Sequence, residues 1–168
     1  MGKPKAVNFE LITDRDSEPY LLLEEIVEEH HEELLSAKIV LAWRKSLRAD
    51  VDGHLILGKC VKASDLQREL IDYDFVILLN KEVWDNPEFT VDKKKALIDH
   101  ELCHAAPAED AETGEQKVDE KGRFVWRIRK HDIEEFREIV QRHGCYKNDL
   151  EKFAEALLAS KQGKLIAA

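Results

Sequence analysis

The sequence predicts a single domain that mixes several helices with short strands. Apolar residues recur at helical spacing in some stretches and form short β-rich runs in others. The chain has 168 residues, which suits one domain with a real core. With 43% hydrophobic and 36% charged residues it falls outside the disordered class, and no run approaches the apolar length of a membrane span. No repeat or low-complexity linker divides it. Residues 18–168 are expected to form one domain after a loosely held segment, 1–17.

The elements follow in order. "EPYLLLEEIVEEHHEELLSAK" carries Leu22, Ile26, His30 and Leu34 at helical spacing, and Ser17 with Pro19 suits its start. "KIVLAWRKS" reads as a strand over 38–46, and Asp52-Gly53 signals a hairpin whose return strand is 54–63. Ser64 caps a short helix. "DFVILLN", 74–80, is the most apolar run and the expected central strand, followed by a loop. Thr90 caps a helix from Val91 to about Ala106, with Asp92 in its first turn and Pro107 as its stop. "KVDEKGRFVWRIRK" reads as a hairpin turning near Gly122. Two helices close the chain, one from about Ile133 to His143 before Gly144, the other from about Asn148 to Ser160.

Composition narrows the function classes. The net charge of −9 disfavours broad nucleic-acid binding, which needs a positive surface to displace counterions. Cys60, Cys103 and Cys145 are odd in number and lack C-x-x-C spacing, so neither a disulfide framework nor a cysteine zinc ribbon is expected. No apolar run follows the first lysines, so a secretory signal is not expected, and a reduced, cytoplasmic setting is.

The chemistry concentrates in His100-Glu101-Leu102-Cys103-His104. Residues four apart share a helix face, so His100 and His104 point the same way and can hold one zinc ion. Glu101 lies beside them and can act as general base on a zinc-bound water. A catalytic zinc needs a third protein ligand, and the "RKHDIEEF" segment is the best source. Asp132 and Glu135 have the spacing of a helix cap and its reciprocal partner, which leaves His131, just outside that helix, as the preferred ligand. Asp132, Glu134 and Glu135 remain open as alternatives. The bland reading of the motif is two histidines on an amphipathic helix.

Other residues invite the bland reading. His30 and His31 read as solvated helix residues, and His54 and His143 flank a turn and a helix end. Cys103 reads as a small buried residue pointing away from the two histidines. In "GRFVWRIRKH", Phe124, Trp126 and Ile128 alternate with Arg123, Arg127 and Arg129. That pattern suits a strand packing one face on the core better than a nucleic-acid surface.

"HELCHA" followed by "HDIEEF" resembles the phage metallopeptidase family and, more distantly, SprT-like and Spartan-type zinc proteases. The matching positions are His100, Glu101, His104, His131 and Phe136, within a likeness that spans approximately residues 20–145. The 26 residues between His104 and His131 exceed the usual SprT-like spacing, and neither a zinc ribbon nor a basic tail is present. The resemblance implies a compact zincin-like α+β fold, with a small, mostly antiparallel sheet beside the motif helix. It implies one catalytic Zn2+ and a peptide or protein substrate, in the host cytoplasm if the chain is phage-encoded. Two other readings stand beside it, a DNA-associated zinc protein and a non-catalytic metal-binding protein.

Overall fold

The computed structural model describes residues 8–160. Two compact units divide the chain at Arg129/Lys130. The first is an α+β unit with helices and a small sheet. β1 (Phe9–Leu11), β2 (Ile39–Arg44), β3 (Gly58–Lys62) and β4 (Phe75–Asn80) form a sheet in the order β1-β2-β4-β3. β2 and β4 run parallel, while the β1–β2 and β3–β4 pairs are antiparallel.

β4 takes the centre because its side chains can be buried. Phe75, Ile77 and Leu79 are fully buried on one face, and Val76 and Leu78 are half-buried on the other. Against the first face pack α1 (Glu18–His30) and α4 (Val91–His104), through Tyr20, Leu23, Ile26, Ile98 and Leu102. The Tyr20 hydroxyl, inside this core, accepts the Leu41 backbone N–H at 3.0 Å, so neither polar group is orphaned.

The hairpin expected between 38–46 and 54–63 does not form. β3 pairs with β4, and β4 stands between β2 and β3. The Asp52-Gly53 turn exists, but it is local. Asp50 accepts from the backbone N–H groups of Asp52 and His54, and Gly53 takes φ +83°. The apolar β4 then displaces β3 from β2, since it gains more by burial in the middle.

Smaller differences also have local causes. The segment 1–17 expected to be loose lies partly outside the described residues, and within it Phe9–Leu11 forms β1. Residues Lys81–Trp84, expected as loop, form the helical turn α3, capped by the Asn80 side chain on Val83 N–H. Ser64 caps α2 (Asp65–Leu70) in a full capping box with Gln67. α1 ends at His30, so His31 is its C-cap, followed by a 3-10 turn at Glu32–Leu34. His31 is therefore buried, at 6% exposure, and is not the solvated helix residue expected; His30 is exposed.

α4 stops at His104 and the chain continues as β5 (Ala105–Pro107), which pairs antiparallel with β6 (Trp126–Ile128). The turn at Asp119–Gly122 is present and the Val118–Phe124 bridge closes it. Trp126 alone of the alternating apolar set is buried, edge-on to Phe75 at 5.7 Å. Phe124 and Ile128 are exposed.

The second unit holds α5 (Arg137–His143) and α6 (Asn148–Ala159), with Gly144 at φ +65° between them. Here the expected reciprocal cap fails. The helix starts at Arg137, not Ile133, and its N-cap is Phe136. The Glu135 carboxylate instead accepts the Phe136 N–H and the Tyr146 hydroxyl, and pairs with Lys147 at 3.1 Å. Among the described residues no helix is long and apolar enough to cross a membrane.

Candidate metal centre

α4 is built to present chemistry on one side and to bury the other. The Thr90 hydroxyl caps its first turn on Lys93 N–H, Asp92 complements the helix dipole, and Pro107 lies just beyond its end. Its buried stripe is Leu97, Ile98, Glu101 and Leu102. A carboxylate on that stripe breaks the apolar pattern, and a buried carboxylate is costly unless it is partnered.

Glu101 is 3% exposed and lies under β3, the sheet edge that packs on α4. The Cys60 backbone N–H lies near enough to its carboxylate to favour the charged form slightly. Gly58 makes room for it, because a Cβ there would lie 2.7 Å from Oε1 and 3.1 Å from Cγ and Cδ. Burial raises the Glu101 carboxyl above its ordinary value, against the smaller lowering effects of His104 and the Cys60 N–H. A raised carboxyl group suits a proton acceptor that must later give the proton back. The Cys60 thiol is pushed up to about 12, first by burial and then by the Glu101 charge, so it is an inert packing group.

His100 and His104 lie on the next stripe, with ring centroids 5.1 Å apart and planes at 83°. His104 Nδ1 is 2.7 Å from the Arg129 carbonyl oxygen. A carbonyl only accepts, so Nδ1 carries the proton and Nε2 is the basic nitrogen. Arg129 N–H donates back to the His104 carbonyl at 2.8 Å, which extends the β5–β6 pairing by one step. The histidine is thus oriented by the strand that follows the Gly122 turn.

The remaining expected residues fall in the second unit. His131 and Asp132 are exposed, two and three residues beyond Arg129, and Glu134 is exposed too. Glu135 is committed to Tyr146 and Lys147. Its carboxylate is held down at about 2, first by the Tyr146 hydroxyl and then by the Phe136 N–H and Lys147. Cys103, expected to be buried, is exposed. Its ligand atom lies within 4.8 Å of those of His31 and Asp99.

Gly58, the Cys60 N–H and the Arg129 carbonyl were not legible as site residues. For Gly58 there was a signal, a glycine inside the apolar run "LILGKC". The other two contribute backbone atoms, which carry no residue-type signal.

A family model described as "Putative phage metallopeptidase" matches residues 13–158. No curated protein and no solved structure matches the chain.

Proposed function

The chain belongs to the phage metallopeptidase family, and on that footing we propose that it is a zinc-dependent peptidase with His100, His104 and His131 as metal ligands. Glu101 is the general base. The observation that carries this reading is the setting of Glu101: a buried carboxylate with a raised pKa, one residue from a histidine pair whose second member is already oriented. Two imidazoles one helical turn apart, with the tautomer of His104 set by a carbonyl, form a donor set suited to zinc.

His131 is supported by chain reach. Arg129 is bound to His104 through both its N–H and its carbonyl. Two peptide units then limit the separation of the Arg129 and His131 Cα atoms to about 7 Å. Asp132 and Glu134 share that reach and remain the alternatives. Glu135 is disfavoured, because its carboxylate is taken up within the second unit.

Bound zinc supplies a Lewis acid and an acidified water at this place. The protein's own residues do the rest. Arg129 holds the His104 ring, and Gly58 leaves space for the Glu101 carboxylate. Glu101 takes a proton as the peptide carbonyl is attacked and returns it to the leaving amine. The proposed substrate is a peptide or protein in extended form, added along β3, whose outer edge is the sheet edge beside α4. This layout of edge strand and motif helix supports the zincin-like reading of the fold.

Zinc affinity of His131→Ala tests the ligand set. Loss of one of three ligands should weaken binding at least tenfold and abolish peptide cleavage. Unchanged zinc affinity would remove His131 from the set and turn attention to Asp132→Asn and Glu134→Gln.

A further inference from the structure

α4 carries a second pair of potential ligands one step around the helix from His100 and His104. Asp99 and Cys103 are four apart and share a face. Facing them is His31, the C-cap of α1, whose ring is buried although its neighbours at the helix end are exposed. His31 Nε2 is 2.7 Å from Asp99 Oδ1, and the ligand atoms of His31, Asp99 and Cys103 all lie within 4.8 Å of one another. On its other side, His31 Nδ1 is 3.4 Å from Glu33 Oε1. A carboxylate on the far nitrogen is the usual outer support of a metal-bound imidazole, since it keeps the N–H there once an ion has replaced the proton on the other nitrogen.

We propose that His31 Nε2, Asp99 Oδ1 and Cys103 Sγ bind a second divalent cation, distinct from the one assigned to His100 and His104. One nitrogen, one oxygen and one sulfur donor select a borderline-soft ion of the zinc or cobalt kind over magnesium or calcium. The fit needs little movement. Ligand atoms about 2.0–2.3 Å from a tetrahedral ion are roughly 3.3–3.7 Å from one another. The nitrogen and oxygen must therefore part by about 0.6 Å from their hydrogen-bonded separation, and the exposed thiol must close in. Binding sends the thiol proton to solvent and displaces the proton that His31 Nε2 donates to Asp99 Oδ1, leaving the ring proton on Nδ1, and solvent takes the fourth position. The ion clips the end of α1 to α4, the helix that carries Glu101. It bears no step of peptide hydrolysis, and the site stands whether or not His131 completes the other one.

Cobalt(II) titration of the full chain tests this, because a thiolate bound to cobalt gives an intense near-ultraviolet charge-transfer band and an all-histidine site gives none. The wild type should take up a second equivalent with that band. His100→Ala combined with His104→Ala should keep the band and lose the other equivalent. Cys103→Ala should lose the band and one equivalent while still binding the first. Asp99→Asn should keep the fold and weaken the band-forming equivalent at least tenfold. A wild type that shows no thiolate band in excess cobalt, or a band that survives Cys103→Ala, overturns the proposal. If instead the two-histidine variant binds as much cobalt as the wild type, the peptidase centre is wrong and the His31 site stands.

Discussion

The Cβ that Gly58 lacks would lie 2.7 Å from Oε1 of Glu101. The tip of the candidate general base therefore rests against the backbone of the edge strand. A methyl group at residue 58 must push the carboxylate away. Gly58→Ala should lower kcat about 10²-fold, the usual effect of a displacement near 1 Å, with zinc content unchanged. Steady-state kinetics with metal analysis decide it. Wild-type turnover in the variant would show that the contact is idle.

Glu101 also opposes folding when ionised. Its folded-state pKa is raised above 4.5, first by burial, so between 4.5 and that higher value the native state binds more protons than the unfolded one. Stability falls as pH rises through this window. In chelator-treated protein, Glu101→Gln should gain on the wild type between pH 4 and pH 7, because Gln has no charge to bury. Urea denaturation at both pH values reads the gain. An equal difference at both would contradict it.

Glu135 carries the opposite sign. Its folded pKa is held at about 2 against an ordinary 4.5. The stabilisation it gives is fully present above 4.5 and is lost as pH falls from 4.5 towards 2. The Tyr146 hydroxyl is the largest cause, so Tyr146→Phe should move the acid loss of helical signal in the second unit to higher pH. Circular dichroism of the two proteins across an acid titration tests this, and superimposable curves would count against it.

The core stripe of α4 sets a stability expectation. Ile98 is fully buried among α1 and sheet residues. Ile98→Ala should cost about 2–5 kcal/mol in chemical denaturation, through lost transfer energy and an unfilled cavity. A loss below about 1 kcal/mol would mean that the site collapses around the smaller side chain.

What the sequence made legible was local. Thr90 and Ser64 cap the helices they were expected to cap, and "DFVILLN" sits at the centre of the sheet. His100, Glu101 and His104 fall on adjoining faces of one helix because helical spacing alone puts them there. What depended on long-range competition was not legible. The Asp52-Gly53 turn is real, yet which strand β3 pairs with was decided by how much apolar surface β4 buries. The helical pattern of α1 runs on through His31 in the sequence, which predicts a solvated ring. One backbone step out of the helix, at φ −134°, places its ring indoors against Asp99. Asp132 and Glu135 had cap-like spacing, and a tyrosine and a lysine later in the chain claimed the glutamate instead.

The central claim is that Glu101 moves the proton in a zinc-dependent cleavage. Peptide-library cleavage read by mass spectrometry, on wild type and Glu101→Gln loaded with zinc to the same stoichiometry, tests it most directly. The account predicts that the wild type cuts and that the variant, its metal retained, is slower by about 10²–10⁴-fold. A variant that holds zinc and cuts at the wild-type rate would contradict it.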